Sequence, residues 1–281
     1  MYVYVNGSIC PAHEAVVSVM DHGFLYGIGL FETMRVYDRQ LFLWDQHYAR
    51  LQSGLLALRI SAPWTSDELA QAVLQTVAAN GLSDAYVRLS VTAGEEGVGL
   101  VAEGYERPSL FIFVKPVAAL AIPPAPKKLL TLTLARQTAE GHQRFKSHNY
   151  LNNALAKQEL GPRADAEGLF LTADGYVAEG IVSNLFWVKN SSLYTPSLDT
   201  GILGGVTRQH VLELAHKLSM PVEQGKYRLE ELLGAEEVFL TNSVQEIVPV
   251  SEIDGNKVPV CYGEHTSKLH RAYRESVAGN G

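Results

Sequence analysis

The sequence predicts an α/β chain of the α+β type, organised in two domains. Three observations carry this. Short alternating runs such as Tyr86-Val87-Arg88-Leu89-Ser90-Val91 recur along the chain, and a period of two is the mark of a strand with one buried face. Two stretches with helical spacing fall among the strands of the first third, which is the α+β pattern. Residues 116–127 then hold four prolines, which stiffen the chain and prevent regular structure. The expected division is an N-terminal α/β domain over 1–115, a linker over 116–127 and a C-terminal domain over 128–281.

Composition narrows the function classes. With 281 residues, 47% hydrophobic and 19% charged, the chain can bury a full core. A net charge of −7 and the lack of any basic tract argue against a nucleic-acid partner. The opening Met1-Tyr2-Val3-Tyr4-Val5 reads as a strand, not a signal peptide, and no apolar run reaches membrane-spanning length. Cys10 and Cys261 are the only cysteines, which fits a reducing cytoplasm better than a disulfide framework. The nine histidines show no ligand spacing, so no metal site is expected.

In the N-terminal part, residues 3–5 read as a strand turned by Asn6-Gly7. Residues 21–33 interleave three glycines with aromatics, which suggests a tight loop where backbone approaches another group. Residues 31–37 and 41–43 form a hairpin around Asp38-Arg39-Gln40. Asp45 is expected to cap the next helix, whose core face carries Trp44, Tyr48, Leu51, Leu55 and Leu58. His47 and Arg50 share a different face, either solvated or in contact with an anion. Thr65 and Glu68 form a capping box for a helix with Leu69, Val73 and Val77 inside, stopped at Asn80-Gly81. Residues 86–93 and 109–115 are strands around a polar loop. Tyr86 and Arg88 share the polar face of the first.

After the linker, residues 129–135 read as a strand leading to Arg144-Phe145-Lys146-Ser147-His148-Asn149-Tyr150. Asn149 is expected to cap a helix with Leu151, Ala154 and Leu155 on its apolar stripe, ended by Gly161-Pro162. Lys146 would then lie near a helix N-terminus and beside Arg144, and both features disfavour its charged form. A lysine that loses its proton near neutral pH suits Schiff-base chemistry. Residues 168–172 and 176–180 form a hairpin that carries Glu179, a carboxylate that needs a cationic partner if it is buried. Gly204-Gly205-Val206-Thr207 opens a helix with Val211, Leu214, Ala215 and Leu218 inside. Free N–H groups and the positive helix end make such a start a phosphate cup. A short helix over 228–233 and a strand over 237–241 follow, ending at Asn242-Ser243, whose small polar groups can bind an anion. A last hairpin and a helix over about 263–277 close the chain.

A lysine, a carboxylate and an anion cup in that order are what pyridoxal phosphate requires. The sequence resembles the fold type IV pyridoxal-phosphate enzymes over nearly its whole length. The resemblance runs through residues 21–33, 47–51, 146–153, 178–187 and 201–208. It implies a smaller N-terminal α/β domain, a larger C-terminal domain with a barrel-like sheet, and a homodimer with pyridoxal 5'-phosphate between the domains. Lys146 is implied as the Schiff-base residue and Glu179 as partner of the pyridine nitrogen. Arg50, Val206, Thr207, Asn242 and Ser243 are implied around the phosphate. Within the family, the D-amino acid transaminases carry an Arg-x-His that residues 94–99 lack, while Tyr86-Val87-Arg88 fits the branched-chain aminotransferases. Ile28 stands where many relatives have an aspartate. The run Lys146-Ser147-His148-Asn149-Tyr150-Leu151-Asn152-Asn153, with residues 194–203, looks most like the 4-amino-4-deoxychorismate lyases of folate biosynthesis. Arg88 and Thr33 are then candidate residues for a small-molecule substrate. Aminotransfer and catalytically silent cofactor binding are the rival readings.

Overall fold

Alternating runs build the first sheet of the computed structural model, which describes residues 1–279. Residues 280 and 281, the end of the expected C-terminal domain, lie outside the described residues. Met1–Ala118 and Phe145–Asn149 form one compact unit, and Ala119–Arg144 and Tyr150–Gly279 form the other. The five residues around Lys146 therefore pack with the N-terminal unit, not with the C-terminal domain to which the sequence assigned them.

The first unit holds β1 (Tyr2–Val5), β2 (Ser8–Pro11), α1 (His22–Tyr26), β3 (Gly29–Tyr37), β4 (Gln40–Leu41), α2 (Trp44–Ala57), α3 (Ser66–Ala79), β5 (Ala85–Thr92) and β6 (Ser109–Pro116). The strands form an antiparallel sheet in the order β2-β1-β6-β5-β3-β4. Leu30, Met34 and Val36 of β3 and Val87, Leu89 and Val91 of β5 point to one face and are buried with Leu51 and Leu55 of α2 and Leu69, Val73 and Val77 of α3. The capping box of α3 forms as predicted, with Thr65 and Glu68 bonding each other's backbone. Asp45 is not the cap of α2. Leu43 is, with a left-handed φ of 54° and no side-chain bond, and Asp45 lies inside the first turn, where its charge still favours the helix end.

The second unit holds β7 (Lys127–Thr131), α4 (Leu151–Leu160), β8 (Ala166–Leu171), β9 (Val177–Gly180), β10 (Asn184–Lys189), β11 (Ser192–Pro196), α5 (Val206–Lys217), β12 (Val222–Gly225), α6 (Leu229–Leu233), β13 (Glu237–Asn242), β14 (Glu246–Ile253), β15 (Asn256–Lys257) and α7 (Glu264–Ala278). Its mixed sheet runs β12-β11-β10-β13-β14-β7-β8-β9, with β15 on β14. The strand expected over 129–135 ends at Thr131; Leu132 N still reaches Leu169 O, but the Glu159 carboxylate of α4 takes the two amides that follow, Thr133 N at 2.5 Å and Leu134 N at 3.1 Å. The face of α4 is also corrected. Asn152, Asn153, Ala156 and Leu160 are buried, while Leu151, Ala154 and Leu155 are exposed. Asn149 does not cap it; Tyr150 holds that position without a side-chain bond. Among the described residues, no helix is long and apolar enough to cross a membrane.

Candidate functional site

In the first unit the site grows from the start of β3. Asp21 caps α1 by accepting from Gly23 N at 2.6 Å, and Gly27 closes that turn with a φ of 70°. β5 covers one edge of Gly29–Phe31, and residues 146–148 pair with the other. Phe31 N donates to Lys146 O at 2.9 Å, and His148 N donates to Gly29 O at 3.0 Å. Glycine is required at 29, since a Cβ there would lie 2.7 Å from both His148 Nδ1 and Val91 O. The close backbone approach expected of the glycine-aromatic stretch is the approach of the lysine segment.

This pairing sets Lys146 Nζ 4.6 Å from the Phe31 ring centroid, with the Arg88 guanidinium carbon 3.7 Å from the same centroid. Thr33 lies opposite Arg88 in the β3–β5 register, so Phe31, Thr33 and Arg88 share the sheet face away from the apolar core. Burial holds the His148 imidazole down to about 4, helped by the nearby Arg88 charge. Its Nε2 is buried without a hydrogen-bond partner.

Glu32 occupies the core face of β3, between Leu30 and Met34. His47 Nδ1 at 2.6 Å and Arg50 Nε and Nη2 at 2.8 and 2.5 Å bind its carboxylate. Burial alone would raise its pKa, but Arg50 and His47 overturn that and bring it to about 2. Burial lowers His47 despite Glu32, with Arg50 and Lys146 adding to the effect. We read Arg50 as the counter-ion and His47 as a neutral donor. The anion that Arg50 contacts within the chain is thus Glu32, a residue overlooked in the sequence although the phase of β3 puts it on the apolar side.

In the second unit Glu179 sits on β9 with 5% exposure. Arg136 Nε donates to one carboxylate oxygen at 2.9 Å, and Leu203 N and Asn184 Nδ2 donate to the other at 3.0 and 3.2 Å. Burial pushes the Glu179 carboxyl above its usual range, against the pull of Arg136. Arg136 also donates to Asn152 Oδ1 at 2.7 Å, and Asn153 Nδ2 donates to Ile181 O. These bonds explain why α4 turns its asparagines inward. Arg136 is the cationic partner that a buried Glu179 demands, and no local sequence pattern marks it, because the two lie 43 residues apart. The Arg144 guanidinium donates to Gly201 O at 2.5 Å and to Gln137 O. Lys146 precedes the cap of α4, Tyr150, in a segment that bridges β3 through Ser147.

The start of α5 carries the glycine opening that the sequence predicts. Gly205 is its cap and makes no side-chain bond; a Cβ there would fall 2.1 Å from Asn184 Oδ1. Val206 and Thr207 begin the helix, both buried, and Thr207 Oγ1 lies 3.3 Å from Ser243 Oγ. Asn242 spends its side-chain oxygen on its own turn, accepting from Val244 N and Gln245 N at 3.0 and 2.8 Å. Among the described residues, no group of three or more His, Cys, Asp or Glu side chains could hold a metal ion.

The family model for class IV amino-transferases matches residues 29–253. The chain is 43% identical to the aminodeoxychorismate lyase of Bacillus subtilis, over 98% of this chain and 94% of the relative. It is 31% identical to a branched-chain-amino-acid aminotransferase of Pseudomonas aeruginosa, over 99% and 93%. A solved branched-chain amino acid aminotransferase of T.th., with pyridoxamine 5'-phosphate, superposes with a TM-score of 0.89 at 30% identity, covering 100% of this chain and 95% of that one.

Proposed function

We propose that this chain, which belongs to the class IV amino-transferase family and takes pyridoxal 5'-phosphate as its cofactor, is an aminodeoxychorismate lyase. The observation that carries this reading is the 43% identity to such a lyase along 98% of the chain. The residues present fit the cofactor. Glu179 offers a buried carboxylate for a ring nitrogen, and the uncapped start of α5 with Thr207 and Ser243 offers N–H and hydroxyl groups for a phosphate. When bound, the cofactor supplies an electron sink for the carbon that bears the substrate nitrogen.

Lys146 would hold the cofactor through its side-chain amine, and that amine, when free, would take the proton from the carbon that bears the substrate nitrogen. Glu179 keeps the ring nitrogen protonated, and Arg136, Asn184 and Leu203 N hold its carboxylate in place. Val206, Thr207, Asn242, Ser243 and Arg50 are assigned to the phosphate. Arg88 and Thr33, on the same sheet face as Phe31, are assigned to the substrate's carboxylates. The carbon–oxygen bond to enolpyruvate then breaks. The pyruvyl fragment gains the proton and leaves as pyruvate, and the ring becomes 4-aminobenzoate, an aromatisation that drives the elimination and needs no second substrate. The proposal includes a homodimer, supported by exposed apolar side chains such as Phe24, Leu151 and Leu155.

Aminotransfer to a branched-chain keto acid is the second reading, favoured by the aminotransferase relatives and by Tyr86-Val87-Arg88. Incubation with 4-amino-4-deoxychorismate is expected to release pyruvate and 4-aminobenzoate in equal amounts. Conversion of the cofactor to its pyridoxamine form by leucine, without pyruvate release from aminodeoxychorismate, would replace the lyase with the aminotransferase.

A further inference from the structure

The second unit contains a buried ionic cluster that the proposed reaction does not use. Glu246 follows directly after the Asn242–Gln245 turn, is fully buried, and has a left-handed φ of 62°, a conformation that residues other than glycine rarely adopt. Its carboxylate receives Arg274 Nη1 at 2.6 Å, and His270 Nε2 lies 3.4 Å away. His270 Nδ1 lies 3.1 Å from Tyr262 OH. Both Arg274 and His270 belong to α7. The same helix reaches α5: Ser276 Oγ lies 2.8 Å from His210 Nε2, and the Tyr273 ring meets His210 edge-on, with centroids 5.5 Å apart.

One helix therefore grips both halves of the cup. Arg274 holds Glu246, the residue that follows the Asn242–Gln245 turn. Ser276 and Tyr273 hold α5 one turn after Thr207. Across the mouth of the cup, the Thr207 and Ser243 hydroxyl oxygens lie 3.3 Å apart, a distance too long to fix their spacing firmly. We propose that α7 is the brace that sets the width of the phosphate cup, with Arg274 as its positioning residue through Glu246. This rests on the assignment of Thr207 and Ser243 to the phosphate.

The brace acts on the phosphate alone, so its signature is a preference between two ligands. Apoenzyme is titrated with pyridoxal 5'-phosphate and with pyridoxal, following the absorbance of the bound form. Wild type prefers the phosphorylated ligand. Arg274→Gln is expected to cut that preference by about tenfold or more, as losing a charge-assisted bond to a buried carboxylate implies, while affinity for pyridoxal stays unchanged. Arg274→Lys restores most of it. The double variant Thr207→Ala, Ser243→Ala is the reference for loss of the cup. If the double variant loses the preference and Arg274→Gln keeps it, the brace is wrong and the cup stands. If neither variant loses it, the cup assignment is wrong and the brace falls with it. Equal weakening of both ligands by Arg274→Gln also overturns the brace, because that is the effect of general destabilisation. Should Arg274→Gln fail to fold, Ser276→Ala, which removes the hydroxyl bonded to His210 Nε2 and to the Tyr273 carbonyl of its own helix, is judged by the same outcomes.

Discussion

His148 and Glu32 both have folded pKa values below their ordinary ones, His148 through burial and Glu32 through Arg50 and His47 against burial. The folded pKa of His148 falls from 6.5 to about 4. The unfolded chain therefore binds the extra proton first, and stability is full above about pH 6.5 and declines as pH falls towards 4. Between pH 6.5 and pH 5 the loss is about 2 kcal/mol. His148→Gln should remove that slope, read as urea midpoints at the two pH values; an unchanged slope would assign the loss to another group. Glu32 is also lowered, from 4.5 to about 2, so its contribution is present above about pH 4.5 and is lost as pH falls through 2. Glu32→Gln leaves Arg50 and His47 facing a neutral amide, and should cost about 3–5 kcal/mol at pH 7. The gap from wild type should narrow in acid below pH 4.5. A gap that stays constant down to pH 2.5 would show that Glu32 is not ionised in the fold.

The elements were legible where one local rule decided them, and misread where a distant side chain did. The capping box at Thr65, the β5 alternation and the glycine opening of α5 depend on neighbours in sequence, and each forms as expected. The inward face of α4 was misread because its asparagines serve Arg136 and the Ile181 carbonyl, 16 and 28 residues away in sequence. For the same reason Glu179 could be singled out on its strand while Arg136 could not. The lysine segment is the sharpest case. It holds no strand pattern, yet it pairs with β3 because Gly29 leaves room for His148. Gly29→Ala should therefore push residues 146–148 off the edge of β3. The expected result is a loss of at least about tenfold in the rate at which borohydride fixes a pyridoxyl label on Lys146, since small misplacements of a reacting group cost rate steeply. Normal labelling in a folded Gly29→Ala protein would mean that the segment holds its place without the pairing.

Across the whole chain, the path of the backbone ties the two units together. The segment Phe145–Asn149 belongs to the first unit, yet both Arg144 before it and Tyr150 after it belong to the second. When the second unit opens, those ends are released, and docking five residues on the edge of β3 must then overcome the entropy of a long loop. The amide of Phe31, which donates to Lys146 O, thus reports on the second unit although it lies in the first. Arg136→Met removes the guanidinium from the buried Glu179 carboxylate and is expected to destabilise the second unit by about 3 kcal/mol or more. In hydrogen exchange at pH 7, the Phe31 amide should then lose protection by about a hundredfold. Amides of β5 and β6, which pair with each other and with β3 and β1 of the first unit, should change little. Equal loss at Phe31 and along β5 would mean that the units unfold as one body, and an unchanged Phe31 would mean that the lysine segment holds to its sheet without help from its flanks.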